Sequence, residues 1–325
     1  MKKISTLLIL VCFFASNAFA QTNIKKVFIN QFVEHPALNR TTEGIVEGLK
    51  QNGYQKGINL DLRIESAQAN SALASQIATK FINQNADVVV GVATISAQSF
   101  AKYAKENKTQ LVFSSVTDPL QAGLVQNLHS PKNNISGVSN FIALKPQLEL
   151  FKTINPQLKR LGFLYNPSEI NSLSLITQLK VLCPKFGITL VLQTANKTSE
   201  VSQAATKLAT QVEAIFISND STALSALSVI IRAATKTKIP VYVSDTDAIA
   251  LGALAALGPN QYQIGLQTAN IIARVLKGEN IAKIPVEFPK ESELYLNEEA
   301  AQKLGIQFPK TLKNKAAKLI QKRPA

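Results

Sequence analysis

Three short polar segments, each directly after an apolar run of β-type residues, hold most of the side chains that could bind a ligand. They are residues 31–36 (QFVEHP), 115–119 (SVTDP) and 165–172 (YNPSEINS). Ligands of open α/β sheets bind just outside the carboxyl ends of the strands, where such segments meet. Carboxylates that accept from an ammonium, beside hydroxyls and amides that donate to a carboxylate, suit a small zwitterion. The sequence therefore favours a binding role for a small amino-acid-like solute.

The candidate ligand-binding residues share a position after a predicted strand. They are Glu34, His35, Thr94, Ser96, Thr117, Asp118, Asn166, Glu169, Asn171, Ser172, Asn219, Asp220 and Asp245. Thr94 and Ser96 begin a predicted helix, whose free N–H groups suit a carboxylate. Glu169 and Asp245 are the candidate partners for an ammonium, through charge-assisted hydrogen bonds. The alternative for most of these residues is simple capping of the next helix or turn, although the polar residues of 166–172 exceed what one cap needs.

The sequence gives little support for metal binding, catalysis or cofactor binding. The chain has two histidines, His35 and His129, so a histidine-rich metal site is not expected. Gly-x-Ser-x-Gly, Walker A and Gly-x-Gly-x-x-Gly motifs are missing from the sequence, so neither an enzyme nor a bound cofactor is expected.

The net charge of +14 invites comparison with nucleic-acid-binding proteins. The lysines, however, are scattered between apolar runs without an arginine cluster or interleaved aromatics, so no nucleic-acid partner is expected. The one dense basic patch is the tail, whose residues 310–323 carry Lys and Arg without an acid. We expect a solvated C-terminal helix there; weak attraction to anionic lipid or to a partner surface is the alternative.

The first twenty residues have the three parts of a secretory signal peptide. Lys2 and Lys3 precede an apolar run over 7–14, and Ala18-Phe19-Ala20 forms a small-x-small cleavage site before Gln21. An N-terminal membrane anchor is the alternative, but the run is short for a span. A periplasmic protein without a further transmembrane helix is predicted. Its single remaining cysteine, Cys183, is expected to be a core residue.

The order of predicted elements indicates two α/β lobes. Strands and helices alternate from residue 26 to 114, and the alternation starts again after Gly137. This pattern is typical of doubly wound parallel sheets. We predict a first lobe of 24–138 plus about 252–284, a second of 139–251 plus about 285–308, and a basic tail of 309–325.

Residues 31–38, 112–119 and 164–172 together resemble the periplasmic solute-binding components of ABC transporters, in the family that includes aromatic-amino-acid-binding proteins of the tryptophan type. The resemblance covers essentially all of 24–308. It implies two Rossmann-like lobes joined by hinge strands, the type I periplasmic binding protein fold, which closes on a small-molecule ligand. It also implies delivery of the ligand to a membrane permease.

Two stretches depart from that family's pattern at predicted ligand-facing positions. Residues 94–98 read TISAQ where the family commonly has TPAAQ, and Asp220 is followed by Ser221 where the family often has Asn. The ligand is predicted to be an aromatic or large apolar amino acid, with Phe32, Tyr165 or Phe141 as an apolar wall. A sensor module of the same fold and an exported enzyme are the alternatives.

Overall fold

The computed structural model describes residues 24–106 and 109–321. The predicted signal peptide and residues 322–325 lie outside the described residues. The strands are β1 Lys25–Gln31, β2 Leu60–Ser66, β3 Val88–Val92, β4 Gln110–Val116, β5 Ile135–Ser139, β6 Arg160–Tyr165, β7 Thr189–Thr194, β8 Ala214–Ile217, β9 Val241–Val243, β10 Ala255–Gly258, β11 Glu293–Asn297 and β12 Lys318–Ile320. The helices are α1 Pro36–Gln51, α2 Ser71–Asn83, α3 Thr94–Glu106, α4 Leu144–Ile154, α5 Ile170–Leu182, α6 Val201–Ala209, α7 Ser221–Ser225, α8 Leu227–Lys236, α9 Gln261–Leu276, α10 Glu298–Leu304 and α11 Lys310–Lys313.

The strands form two sheets, one in each lobe, as the repeated pattern predicts. The first has the order β2-β1-β3-β4-β5 and is parallel throughout. The second has the order β12-β11-β10-β9-β8-β6-β7, in which only the β10–β11 pair is antiparallel. The expected doubly wound architecture of two Rossmann-like lobes is confirmed, and it is that of the type I periplasmic binding proteins.

The central strands of both sheets are buried on their two faces, as is typical of parallel sheets. The VVVGV sequence of β3 is buried along its whole length. In β8, Ala214 and Phe216 join one apolar cluster, while Ile215 and Ile217 join another on the opposite face. Cys183 is buried in the first of these two clusters, which confirms its expected core position.

The chain returns to the first lobe later than the predicted position near Gly252. The strand β10 lies in the second sheet, where Ala255 pairs with Tyr242 and Leu296. Gly252 instead ends a 3₁₀ helix over Asp247–Leu251, with a positive φ of 113° that favours glycine. The crossing follows β10, and α9 then packs on α1 in the first lobe.

The basic tail also differs from the expected free helix. Residues Lys318–Ile320 form β12, which pairs in parallel with β11 at the edge of the second sheet. The helix in the described part of the tail is α11, which has four residues and precedes β12. The described part of the tail therefore belongs to the second lobe. Within the described ranges, no helix combines the length and the apolar character that crossing a membrane would require.

The helices α1 and α9 cross closely in the first lobe. At Gly44 an added Cβ would lie 2.2 Å from the carbonyl oxygen of Tyr262, and at Gly265 it would lie 2.1 Å from that of Thr41. Only glycine allows the two backbones to approach so closely. The crossing brings the first turns of α1 and α9 to the same place, beside the end of β4.

Candidate functional site

A small cavity lies between the two lobes, at the carboxyl ends of strands from both sheets. Its volume is about 20 Å³, on the order of a single water molecule. Six of the thirteen predicted site residues line it: His35, Thr94, Thr117, Asn171, Asn219 and Asp245. The first three follow strands of the first sheet, and the last three follow strands of the second. Both lobes therefore contribute polar side chains to the cavity.

Three polar atoms in the cavity wall are buried without a hydrogen-bond partner among the described residues. They are His35 Nδ1, Asn171 Oδ1 and Asp245 Oδ2. The three residues are 5%, 4% and 1% exposed, respectively. Buried polar atoms are nearly always paired, because an unsatisfied one costs about 1–3 kcal/mol. Three such atoms around one cavity are characteristic of a site whose partner is a ligand.

Burial shifts the titration of two of these residues in opposite directions. It lowers the pKa of His35 to about 4, so the imidazole is neutral at physiological pH. It raises the pKa of Asp245 to about 7, helped by the nearby Asp247 carboxylate and opposed by N–H groups of Asp247 and Ala248. An ammonium beside Asp245 would favour the ionised form and reverse that shift.

On the first-lobe side of the cavity, helix N-termini favour an anion, whereas Asp245 favours a cation. The helices α1, α3 and α9 all begin at residues of the cavity or directly beside it, at Pro36, Thr94 and Gln261. They are 16, 13 and 16 residues long, and the N-terminus of such a helix carries unpaired N–H groups and a partial positive charge. The first lobe thus offers a place for an anion, opposite Asp245 in the second.

Asn219 joins the two lobes across the cavity. Its side-chain nitrogen donates to Thr117 Oγ1 and to the carbonyl oxygen of Asn140, both at 3.1 Å. Its side-chain oxygen accepts from Ser244 Oγ at 3.2 Å. Asn219 therefore bonds the end of β8 directly to the end of β4 and to the segment after β5.

Glu169 and Asp220 lie behind the cavity wall rather than in it. Glu169 accepts from the backbone N–H groups of Ser221 and Thr222, from Thr222 Oγ1 and from Asn171 Nδ2, at 2.9–3.2 Å. Asp220 accepts from two backbone N–H groups and from Ser172 Oγ. Burial and the Glu169 carboxylate raise the pKa of Asp220 to about 8. The oxygens of Glu169, the predicted ammonium partner, are already occupied by the protein.

Four further predicted residues have structural contacts outside the cavity. Asn166 Nδ2 donates to Thr222 Oγ1 and to the carbonyl oxygen of Asn196, and Ser172 bonds Asp220. Ser96 Oγ donates to Asn30 Oδ1 within the first lobe. Asp118 accepts from Ser174 Oγ across the lobes.

Glu34 is exposed and lies in a surface groove of the first lobe that also contains Glu43 and Glu47. The structure thus brings six of the thirteen predicted residues to the cavity, and the seven others lie outside it.

Eight residues of the cavity wall are not among the thirteen predicted site residues: Ala37, Leu38, Ala93, Ser115, Asn140, Ser221, Leu224 and Gln261. Two of them were partly indicated, because Ser115 lies in the polar segment 115–119 and Ser221 at a predicted ligand-facing position. The four apolar ones could not be found by a search for polar side chains after strands. Gln261 was detectable, since it opens a helix capped by Asn260. The aromatic residues Phe32, Tyr165 and Phe141, predicted as an apolar wall, do not line this cavity, whose apolar lining comes from Leu38, Leu224 and two alanines.

Within the described residues, no cluster of His, Cys, Asp and Glu side chains is arranged to hold a metal ion.

Comparisons with known proteins agree with this architecture. The profile of the family described as ABC transporter substrate binding protein matches residues 26–320. A tyrosine-binding protein of Clostridioides difficile (strain R20291) is 32% identical over 296 residues, which cover 90% of this chain and 85% of that protein. The structure of an ABC domain in complex with L-Trp from Streptococcus pneumonia is 30% identical, has a TM-score of 0.88, and is covered over 91% of this chain and 100% of that one.

A third relative is a structure in the open form. The ligand-free, open structure of a substrate-binding protein with adhesive properties from Clostridium difficile is 31% identical, covered over 92% of this chain and 100% of that one, with a TM-score of only 0.68. At nearly the same identity, this chain therefore superposes better on the L-Trp complex than on this open form. The lobes of this chain are closed, in agreement with the direct bonds between them.

The family is one of extracytoplasmic binding proteins rather than enzymes, which confirms the expectation that this chain is not an enzyme. Its profile spans both lobes, including the residues that line the cavity between them. The chain therefore belongs to the ABC transporter substrate-binding proteins and is the solute-binding component of such a transporter.

Proposed function

We propose that this protein captures an α-amino acid with an aromatic or large apolar side chain in the interlobe cavity and delivers it to an ABC permease. The single observation that carries the proposal is the set of three unpartnered buried atoms, on His35, Asn171 and Asp245, around one cavity. A ligand with several polar groups at one end satisfies such a set.

The two sides of the cavity suggest how the ligand is oriented. Its ammonium lies at Asp245, whose Oδ2 is unpartnered and whose Oδ1 is held by the N–H of Asp247 at 3.0 Å. Its carboxylate lies at the first turn of α3, near Thr94. Leu38 and Leu224, one from each lobe, receive the side chain.

The small cavity volume does not conflict with an aromatic ligand. The lobe arrangement superposes on that of the L-Trp complex with a TM-score of 0.88. We infer that rotation of lining side chains such as His35, Leu38 and Leu224 supplies the extra room, and that the ligand enters while the lobes are apart. The relatives that bind tyrosine and L-Trp support the ligand class at about 30% identity.

The proposal includes the cellular setting that the sequence predicts. Residues 1–20 act as a cleaved signal peptide, and the mature protein works in the periplasm. The permease then accepts the ligand from the closed form, a hinge-type two-state element.

A thermal-shift panel on refolded protein tests the function. The panel contains the twenty L-amino acids, D-tryptophan, arabinose and inorganic phosphate. A ligand at about 100 times its Kd adds ~2.7 kcal/mol to the free energy of unfolding and raises the melting temperature by several degrees. We expect this shift with L-tyrosine, L-tryptophan or L-phenylalanine. A shift with arabinose or phosphate alone would contradict the proposal.

A further inference from the structure

The beginning of α5 contacts the first lobe although the helix belongs to the second. Ser174 Oγ donates to Asp118 Oδ2 at 2.8 Å, and Asp118 follows β4 of the first sheet. Ile170, at the start of α5, packs against the apolar core of the first lobe. Residues four apart share one face of a helix. One face of α5 therefore makes a polar and an apolar contact across the cleft.

These contacts are separate from the ligand cavity. None of Ile170, Ser174 and Asp118 lines it. Ser174 is only 3% exposed and Asp118 is half-buried, so the bond between them is partly shielded from water. The other oxygen of Asp118 accepts from the N–H of Gln121 at 3.0 Å, which fixes the carboxylate on its own lobe. The Asp118 carboxylate is therefore already oriented before lobe closure brings α5 against it.

Two other contacts between the lobes differ in kind. Asn219 bonds Thr117 inside the cavity, where a ligand would disturb it. Arg40 and Asp247 approach to 3.9 Å, but their side chains are 45% and 28% exposed, and exposed ion pairs contribute little. Of the three, the α5 contact is the one that combines a buried donor with a position outside the cavity lining.

We propose that Ile170, Ser174 and Asp118 form a closure clasp that stabilises the closed form from outside the cavity. An interaction made only in the closed form shifts the open–closed equilibrium by its own free energy, whatever the ligand. The clasp therefore populates the closed form in the free protein, slows ligand release and leaves the choice of ligand unchanged. The slower release and the unchanged choice of ligand rest on the proposed function. The closed population of the free protein does not.

The test compares the wild type with Ile170→Ala, Ser174→Ala and the double variant. Ile170→Val is a milder version that trims one methylene, for use if the alanine variants fold poorly. Thr177→Val is the matched control, because Thr177 lies on α5 but is exposed and bonds only the carbonyl oxygen of Leu173 in its own helix.

Small-angle X-ray scattering of the ligand-free proteins gives the first readout. We expect a larger radius of gyration for the double variant than for the wild type, a smaller increase for Ile170→Val, and none for Thr177→Val. Equal radii for the wild type and the double variant would overturn the clasp.

Stopped-flow dissociation of L-tyrosine and L-tryptophan gives the second readout. In the double variant the dissociation rate should rise about tenfold, the association rate should rise only as far as the open fraction of the free protein increases, and the ratio of the two affinities should stay the same. An unchanged dissociation rate, or an altered ratio, would contradict the clasp. If the wild type binds no amino acid, the proposed ligand is wrong, and the scattering result still decides the clasp.

Discussion

Two buried acidic residues show what separates a ligand-facing side chain from a structural one. Glu169 and Asp245 both follow strands of the second sheet, and both are 1% exposed. Each oxygen of Glu169 accepts hydrogen bonds from the protein, whereas Asp245 Oδ2 has no partner among the described residues. Both are acidic residues placed after a strand, so the sequence predicts either of them as the partner of a ligand ammonium. The difference depends on which backbone N–H groups the next turn presents.

The raised pKa of Asp245 predicts a pH-dependent affinity. With the pKa of Asp245 at about 7 in the closed, ligand-free arrangement, an ammonium ligand must displace a proton there at lower pH. The association constant should fall by up to about tenfold per pH unit from pH 7 to pH 5, and it should level off above pH 7. The His35 pKa of about 4 keeps that imidazole neutral over this range. Isothermal titration calorimetry with L-tyrosine at several pH values measures the slope.

Asp245→Asn and Glu169→Gln are the matched variants for this prediction. Asp245→Asn should weaken binding and abolish the pH slope. Glu169→Gln should keep the slope but lower the free energy of unfolding by ~1–3 kcal/mol, because an amide has one acceptor oxygen instead of two and leaves one of the buried N–H groups of Ser221 and Thr222 unpaired. A slope that persists in Asp245→Asn would assign the titration to another group, such as Asp220, whose pKa is raised to about 8.

At the scale of elements, the site depends on how α1 and α9 bring their first turns together. Their crossing is tight because Gly44 and Gly265 present only hydrogen at the contact. The helical spacing of apolar residues predicts helices over 37–52, 95–106 and about 261–277, which correspond to α1, α3 and α9. It did not predict their crossing, because the close approach depends on glycines whose partners are more than two hundred residues away.

Gly265→Ala tests the role of this crossing. The new Cβ would meet the backbone carbonyl of Thr41, which cannot rotate away as a side chain could. We expect a loss of ~1–3 kcal/mol in the free energy of unfolding, read from urea denaturation, together with weaker ligand binding. Gln263→Ala, on an exposed position of the same helix, is the control and should change neither. Full stability in Gly265→Ala would contradict the tight crossing.

The last strands show where element prediction from sequence reached its limit. The β10 segment is only four residues long and follows a glycine, so the return to the first lobe was expected too early, near Gly252. The segment of β12 is three residues long among lysines, and its pairing with β11 could not be anticipated from composition. Short edge elements depend on long-range partners, whereas the buried β3 is predictable from its own apolar run.

At the scale of the whole molecule, two lobes of similar construction meet at the carboxyl ends of their strands. That geometry follows from the repeated alternation of elements, which is why the fold and the location of the site were predictable. The closed arrangement was not, because it depends on contacts such as Asn219 with Thr117 and Ser174 with Asp118. Closure places an acidic side chain of one lobe opposite helix N-termini of the other, which suits a zwitterion.

The most direct test of this account is calorimetric titration of the refolded protein with L-tyrosine and L-tryptophan and with analogues that lack one charged group. Tyramine and tryptamine lack the carboxylate, and the corresponding arylpropionic acids lack the ammonium. We predict that the amino acids bind and that each analogue binds at least about 30-fold more weakly, the effect of leaving a buried charged or polar group unpaired. Equal binding of the arylpropionic acids, or no binding of any aromatic amino acid, would contradict the assignment of Asp245 to a ligand ammonium.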